Sequence, residues 1–216
     1  MPVIQTEKFD NGLFGLWKIT EETEDLLPLA KLSEQDMDTW TAFKAAQRKK
    51  EWLATRALLN ELTARPTPIS YHADGRPYLD GYPMHISISH TKGYAAVLLH
   101  SKANPGIDME LESRSAERVA TRILSQDELE SCRENEVYSN KKLLIHWCAK
   151  EAIFKMVPEN SISYAKHIHV LLNRPIEQLN AFSATFQSGE DPLTINLFYK
   201  SFEELIIVWG WPAFTS

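Results

Sequence analysis

The segment "MHISISHTKGYAAVLLHSKANPGIDME", residues 84–110, decides the fold. Met84, Ile86 and Ile88 alternate with polar residues, which is the period of a strand with one buried face. A Thr-Lys-Gly turn separates this strand from a second, "YAAVLLH", and an Asn-Pro-Gly break precedes a third, "GIDME". Consecutive strands joined by short turns favour an antiparallel sheet.

Helical patterns lie on both sides of these strands. Upstream, the pattern is helical over residues 36–64 and stops before an Arg-Pro pair, because the residue before proline avoids helical backbone. Downstream, Ser125 and Glu128 form a capping box, and a further helical run covers residues 141–156. Four strand-like segments follow from residue 168. The sequence therefore predicts an α+β fold.

Composition and charge limit the classes of protein. Of the 216 residues, 44% are hydrophobic and 24% are charged, as in ordinary globular proteins. The net charge of −6 is opposite in sign to that of typical nucleic-acid-binding domains, so no nucleic-acid partner is expected. Two cysteines give neither a disulfide framework nor a zinc motif. With no signal-peptide pattern and no apolar run long enough to span a bilayer, we expect a cytoplasmic protein with no membrane partner.

Two acidic residues stand in the third strand. Because residues i and i+2 of a strand point to the same face, Asp108 and Glu110 are predicted to project together. Two ionised carboxylates that close repel each other unless something positive lies between them, and Mg²⁺ is a cation that takes oxygen ligands. The alternative is an exposed strand face that carries two solvated acids.

A third acid lies on the last long helix of the sequence. In "LLIHWCAKEAIFKM", residues 143–156, Glu151 and Lys155 stand four residues apart and therefore face each other. One interpretation is a surface ion pair. The other is a third metal carboxylate with a lysine beside it that is directed at phosphate.

"GIDME" and, about forty residues later, "WCAKEAIFK" together resemble the two signatures of the 4′-phosphopantetheinyl transferase superfamily, G-[IV]-D-x-E and [FW]-x-x-K-E-[AS]-x-x-K. "RILSQDEL" is similar to the family's linking motif, with Ile123 in place of an aromatic residue. "RKKEWLATRALLNEL", "DGRPYL" and "ISISHTKGYAAVLL" resemble three upstream motifs, with Thr55 where Gly or Ser is usual and Arg76 where lysine is usual. The similarities run from residue 48 to residue 155 in the family's order.

The chain length resembles that of the long, Sfp-type members, which are pseudo-dimers within one chain. The resemblance therefore implies two similar α+β lobes related by a pseudo-two-fold axis, each an antiparallel sheet with helices. We place the boundary so that residues 1–104 form the lobe that binds the nucleotide of coenzyme A. Residues 105–216 form the lobe with the metal carboxylates and the catalytic helix. A pseudo-dimer has less need to assemble, so we expect a monomer.

The resemblance also implies a reaction. The 4′-phosphopantetheine group of coenzyme A is transferred to a serine of an apo acyl or peptidyl carrier protein, and 3′,5′-ADP is released. Mg²⁺, with Mn²⁺ as the alternative, would be held by Asp108, Glu110 and Glu151. Glu151 is also the candidate base, and Lys155 would neutralise phosphate charge. The pathway served, whether fatty acid, polyketide or nonribosomal peptide biosynthesis, does not follow from the sequence.

Coenzyme A would be bound by a further set of residues. His90, next to Ser89, would contact the 3′-phosphate with Arg48 or Lys49, and Gly75 and Arg76 would approach the adenine. Two cations carry open alternatives. Arg56 either binds coenzyme A or pairs with an acid of the other lobe, and Lys150 contacts either phosphate or solvent.

Three arginines, Arg114, Arg118 and Arg122, recur at every fourth position and form one helix stripe. We interpret the stripe as a docking surface for an acidic carrier protein, with a solvated helix face as the alternative. Two other functions use the same residues. One is a different Mg²⁺-dependent phosphoesterase that acts on coenzyme A or a nucleotide, and the other is a non-catalytic protein that binds coenzyme A or a carrier.

Overall fold

The computed structural model describes residues 3–157, 162–172 and 174–214. The chain divides into two compact units, Met1–Lys102 and Ala103–Ser216. Each unit contains an antiparallel sheet together with helices, which confirms the predicted α+β class. Within the described ranges, no helix is long and apolar enough to cross a membrane. The functional roles that we assign to the two halves of the chain stay predictions.

The first unit is a four-stranded antiparallel sheet with three helices and a small hairpin. The sheet order is β1-β2-β6-β5, and β3 pairs with β4 in the hairpin. Helix α3 packs against β2 and β6, so its apolar residues fill the core of this unit. The elements are β1 (Val3–Phe9), β2 (Gly12–Lys18), α1 (Thr23–Ala30), α2 (Glu34–Ala42), α3 (Ala46–Thr63), β3 (Ile69–Tyr71), β4 (Pro77–Leu79), β5 (His85–Thr91) and β6 (Tyr94–His100).

The single helix predicted over residues 36–64 is wrong, because the structure divides this region into α2 and α3. Phe43 ends α2 with extended backbone, φ −68° and ψ 131°. Its ring meets the Trp52 ring edge-on, with the ring centroids 5.9 Å apart. No glycine or proline marks residues 43–45, so neither periodicity nor turn chemistry indicates the break.

The second unit contains a five-stranded antiparallel sheet of order β10-β11-β12-β13-β7, and β8 pairs with β9 in a short hairpin. Helix α6 packs against β7 and β13. The elements are β7 (Gly106–Leu111), α4 (Glu117–Ile123), α5 (Gln126–Ser131), β8 (Arg133–Glu134), β9 (Val137–Tyr138), α6 (Asn140–Met156), α7 (Tyr164–His167), β10 (Ile168–Leu171), a 3₁₀ turn (Ile176–Gln178), β11 (Ala181–Phe186), β12 (Leu193–Phe202) and β13 (Leu205–Pro212).

The third strand of the opening segment does not continue the sheet of the first two. Strands β5 and β6 pair with each other, whereas β7 pairs with β13 in the second unit. Local turn chemistry identifies the Asn-Pro-Gly break but cannot show which sheet the next strand joins, because that partner lies about 100 residues further along the chain.

Gly106 allows α6 to approach β7 closely. A Cβ atom at this position would lie 2.0 Å from the carbonyl oxygen of Ala152, a distance that no real contact allows. The glycine therefore lets the backbones of strand and helix meet where side chains would otherwise separate them. This close packing brings the acids of β7 next to Glu151, the acid of α6.

Candidate active site

Asp108 and Glu110 lie on the face of β7 that meets α6. Their partners on β13 are Val208 and Ile206, and directly paired residues share a face of the sheet. Both partners belong to the apolar core to which α6 also contributes. The side chains of Asp108 and Glu110 are only 13% and 9% exposed. The alternative of two solvated acids on an open strand face is therefore wrong.

Lys155, in the last turn of α6, bonds to β7 rather than standing free. Its Nζ lies 2.8 Å from Asp108 Oδ1 and donates a second hydrogen bond of 2.7 Å to the carbonyl oxygen of Ile107. Its positive charge also acts on Glu151, where it partly opposes the rise in pKa that burial causes. Lys155 thus compensates the charge of the acids from one side.

Arg114 compensates the acids from another side. It forms an ion pair with Glu110, and its guanidinium carbon lies 4.2 Å from the centre of the Trp147 ring. Such a cation–aromatic contact adds a modest attraction to the ion pair. The predicted stripe therefore loses one member, because Arg114 precedes α4 and pairs with Glu110, whereas Arg118 and Arg122 are exposed on α4.

Glu151 occupies a desolvated position beside Asp108. Burial, followed by the negative charge of Asp108, raises the pKa of Glu151 above its usual value. The side chains of Tyr164 and Trp147 act in the opposite direction. A phenol and an indole can each donate to a carboxylate, and such donors favour its charged form.

Tyr164, the first residue of α7, is a neighbour of Glu151 that no sequence pattern indicated. It lies outside both signature segments, and the spacing gave no signal for it. The pKa of its phenol is raised, first by burial and then by the charge of Glu151.

Cys148 is a second neighbour of the acids that the sequence did not indicate. It is fully buried, and burial followed by the charges of Asp108 and Glu110 raises its thiol pKa.

The three acids form one electrostatic cluster. The charge of Asp108 raises the pKa of both Glu110 and Glu151, in each case after burial, which is the larger cause. In the part of the chain that the structure describes, no group of three or more His, Cys, Asp or Glu side chains is arranged to hold a metal ion. Cationic side chains compensate two of the acids instead, namely Lys155 for Asp108 and Arg114 for Glu110.

Comparison with known proteins places this cluster in a family. A family profile described as the 4′-phosphopantetheinyl transferase superfamily matches residues 104–200, which include all three acids. A holo-[acyl-carrier-protein] synthase from Staphylococcus carnosus (strain TM300) is 31% identical over 97 residues, which are 38% of this chain and 83% of that protein. The chain belongs to the 4′-phosphopantetheinyl transferase superfamily. Residues 1–103 of this superfamily member lie outside the profile match.

Within this transferase-family segment, Lys150 does not fit the predicted contact with phosphate or solvent. Its side chain is 0% exposed, and its Nζ lies 2.7 Å from the Glu128 carboxylate. The ammonium also donates to the carbonyl oxygens of Tyr164, at 2.9 Å, and Ile168, at 2.7 Å. An ammonium has three donors, and all three are satisfied inside the core. Lys150 therefore joins α6 to α5, α7 and β10.

In the first unit of this superfamily member, the structure brings two of the predicted residues for coenzyme A together. Arg48 Nη1 lies 2.7 Å from His90 Nε2. Since an arginine can only donate, Nε2 accepts and the ring proton stands on Nδ1, which faces a Glu51 oxygen at 3.5 Å. Lys49 lies 4.9 Å from the centre of the Trp40 ring, and Ser89 is buried.

Arg56 contacts an acid and an aromatic ring of the first unit. Its guanidinium lies 3.0 Å from an Asp36 oxygen and 3.1 Å from the centre of the Trp52 ring. The arginine is 5% exposed, and burial lowers its pKa. The predicted contact with coenzyme A stays a prediction. The alternative of an acid in the other lobe is wrong, because Asp36 lies in the same unit.

Gly75 and Arg76 form an exposed turn between β3 and β4. Gly75 has a φ of +85°, and nothing lies within 4 Å of a Cβ built there. This left-handed backbone favours glycine. Arg76 lies 2.6 Å from Asp74, and the guanidinium hydrogen bond is the main reason why the Asp74 pKa is lowered. The assignment of this turn to adenine stays a prediction.

Proposed function

We propose that this superfamily member transfers the 4′-phosphopantetheine group of coenzyme A to a serine of an apo carrier protein and releases 3′,5′-ADP. The observation that carries the proposal is the cluster in which Asp108 pairs with Lys155 and its charge acts on both Glu110 and Glu151, where α6 packs on β7. This cluster lies inside the segment that matches the family. The relative in Staphylococcus carnosus is named as an enzyme that makes a holo acyl carrier protein.

The chemistry of the acids fits a hard divalent cation. All three donors are carboxylates, the ligand type that Mg²⁺ prefers. Burial and the charge of Asp108 disfavour the charged forms of Glu110 and Glu151, and a cation beside them would relieve both effects. We therefore propose Mg²⁺, with Mn²⁺ as the alternative, held by Asp108, Glu110 and Glu151. When bound, the metal supplies charge compensation for the pyrophosphate of coenzyme A.

The side chains of the protein have separate roles in this reaction. Glu151 accepts the proton of the attacking serine hydroxyl, and a carboxylate whose pKa is raised toward neutrality is a better base than an ordinary glutamate. Lys155 stabilises the negative charge that develops on the phosphate oxygens. Its side chain is 28% exposed, and the two hydrogen bonds of its ammonium use two of three donors.

The first unit would bind the nucleotide of coenzyme A. Arg48 and His90, which contact each other, would bind the 3′-phosphate, with Lys49 as a further cation. Gly75 and Arg76 would contact the adenine, since a glycine lets the backbone come close to a flat ligand. We further propose that Arg118 and Arg122 contact the carrier protein, and that the protein is a cytoplasmic monomer.

The test of this function is a mass measurement on the carrier. The protein is incubated with coenzyme A, Mg²⁺ and a panel of purified apo acyl and peptidyl carrier proteins, and each carrier is weighed intact. We expect a gain of one phosphopantetheine group on at least one carrier, lost when the metal is chelated or the acceptor serine is replaced by alanine. A parallel reaction with an established transferase controls for carrier quality.

The result separates the proposed function from its rivals. Release of phosphate or phosphopantetheine from coenzyme A without any carrier would identify a phosphoesterase instead. Binding of coenzyme A with no product would identify a non-catalytic member. Either outcome, found while the established transferase modifies the same carriers, would contradict the proposal.

A further inference from the structure

A pocket of about 370 Å³ lies in the second unit, beside the first turn of α6. Its volume is in the range of small-molecule binding sites. Lys141 lines the pocket, and Glu151 lies further along the same helix. At a rise of 1.5 Å per residue the two positions are about 15 Å apart. The pocket is therefore separate from the acid cluster.

Tyr199 on β12 contributes a buried hydroxyl to the lining of this pocket. The residue is only 7% exposed. Lys141 and Ser201 are near enough to lower its pKa, but the hydroxyl oxygen makes no hydrogen bond with any residue that the structure describes. Most buried polar groups are paired, because an unpaired one costs free energy. The hydroxyl thus lacks the partner that a bound ligand could supply.

This hydroxyl can act as a donor. Burial is the main reason why the pKa of the Tyr199 phenol is raised, so the group keeps its proton at neutral pH. A protonated phenol donates to an oxygen of a carboxylate or a phosphate. The tyrosine therefore favours a ligand that carries an acceptor.

The beginning of α6 also favours negative charge. A helix N-terminus carries a partial positive charge and presents backbone N–H groups. The first turn of α6 adds Lys141 and Lys142 and contains no acid. Ser139, at the N-cap position, makes no side-chain cap to any residue in the described ranges. An anion is thus the natural ligand of this end of the helix.

Lys141 brings a full positive charge to the pocket. Its ammonium lies 3.0 Å from a Glu112 oxygen, and its side chain is 39% exposed. An ammonium has three donors, so this pair does not exhaust it. Among the described lining residues, Lys200 is a second cation and the exposed Glu177 is an acid. The cations of the lining therefore outnumber its acids.

Apolar side chains complete the lining. Ile176 lies in the 3₁₀ turn, and Leu179 follows that turn and is 5% exposed. Both pack with the core of the second unit. Pockets that combine an apolar surface with a few polar groups take ligands that match both.

We propose that this pocket binds a small organic anion that has an apolar group. The charged end contacts Lys141 and the first turn of α6, and it accepts a hydrogen bond from the Tyr199 hydroxyl. The apolar end packs on Ile176 and Leu179. A carboxylate and a phosphate monoester share this chemistry. The inference does not rest on the proposed transfer reaction, because the pocket is separate from the acid cluster.

The test uses hexanoate, hexyl phosphate and hexylammonium, which share one alkyl chain and differ in the charged group. Binding of each probe to the full chain is measured by calorimetry, first alone and then with saturating coenzyme A. We expect the anions to bind and hexylammonium not to bind. The tighter of the two anions identifies the charged group. Coenzyme A should not displace either anion, since its proposed contacts lie elsewhere.

Two variants test the contacts directly. Tyr199→Phe removes the hydroxyl and Lys141→Gln removes the charge. Each should weaken binding of the tighter anion about 2-fold to 10-fold, the equivalent of one hydrogen bond. Lys142→Gln is the matched control, because Lys142 stands in the same turn of α6 but pairs with Glu134. It should bind the anion as the unaltered protein does.

Thermal unfolding without probe separates a lost contact from a damaged fold. Tyr199→Phe should not lower the unfolding midpoint, since the hydroxyl makes no hydrogen bond with the described residues. If Lys141→Gln lowers the midpoint, Tyr199→Phe alone decides the test.

Four results would overturn the inference. They are binding of neither anion at millimolar concentration, binding of hexylammonium as tightly as the anions, displacement of the anions by coenzyme A, and unweakened binding by Tyr199→Phe. All four are measured without a carrier protein. Failure of the proposed function is seen in a different experiment, as absence of transfer to any carrier.

Discussion

Lys150 illustrates, at the scale of single residues, how a charged residue in a signature segment can stabilise the fold. Its ammonium is fully buried and bonded to Glu128, and burial lowers its pKa. Removing one partner of a buried ion pair leaves the other charge uncompensated, which typically costs about 3–5 kcal/mol. We expect Lys150→Met to lower the free energy of unfolding by about that amount, measured by denaturant titration.

The control for this prediction is Lys142→Met on the same helix. Lys142 lies 2.8 Å from Glu134, whose side chain is 55% exposed. Exposed pairs contribute about 0–1 kcal/mol, so this variant should unfold close to the unaltered protein. Equal effects of the two substitutions would show that the Lys150 pair does not stabilise the fold.

Glu151 gives a second prediction at the residue scale, on the pH dependence of stability. Burial and the charge of Asp108 raise its pKa in the folded protein. Between its ordinary value and this raised value, the folded state binds more protons than the unfolded state, so the contribution of Glu151 to stability falls as pH rises through this window. At neutral pH the charged group therefore costs stability.

Glu151→Gln removes this ionisation while keeping the shape of the side chain. We expect the unfolding midpoint of the variant to exceed that of the unaltered protein at pH 7, and the difference to shrink near pH 4, where Glu151 is largely protonated in both states. Scanning calorimetry at both pH values measures this difference in unfolding midpoint. If the variant is instead less stable than the unaltered protein at pH 7, and not at pH 4, then the charged carboxylate stabilises the fold. That result would contradict the burial argument.

At the scale of elements, the contact between β7 and α6 depends on Gly106. A Cβ there would approach the Ala152 carbonyl oxygen to 2.0 Å, so strand and helix would have to separate. Overpacking of this kind typically costs about 1–3 kcal/mol. We expect Gly106→Ala to lose this much stability and also most of the transfer activity, because Asp108 and Glu151 would move apart.

Gly189→Ala is the matched control, since nothing lies within 4 Å of a Cβ at that position and its backbone is not left-handed. Unfolding and transfer should be close to those of the unaltered protein. If Gly106→Ala also leaves both quantities unchanged, the close packing of α6 on β7 does not position the acids.

The elements also show what the sequence could predict. The capping box at Ser125 and the long helix α6 were confirmed, because their signals are local. The break between α2 and α3 was missed, since no glycine or proline marks it and Phe43 meets Trp52 only in the folded chain. The buried partners of Lys150 and Arg56 were missed for the same reason. Spacing shows which face of a helix a cation occupies but not the acid that meets it in the fold.

At the scale of the whole molecule, the net charge of −6 bears on how a carrier protein is recognised. If the carrier is acidic, the two molecules repel each other at long range, and docking needs a local basic surface. Arg118 and Arg122 are exposed on α4, and neither forms an ion pair within the ranges that the structure describes. Arg114 differs, because it is bound to Glu110. Of the three arginines of the predicted stripe, Arg118 and Arg122 therefore remain available to a carrier.

Arg118→Glu tests this surface. Reversal of a charge that faces an acidic partner should raise the KM for the carrier about 3-fold to 10-fold at low salt and less at high salt, since salt screens exposed charges. The KM for coenzyme A should not change. Arg174→Glu makes the same change of net charge at another exposed arginine of the second unit. If both variants raise the carrier KM equally, net charge alone controls the encounter. If neither does, α4 is a solvated helix face.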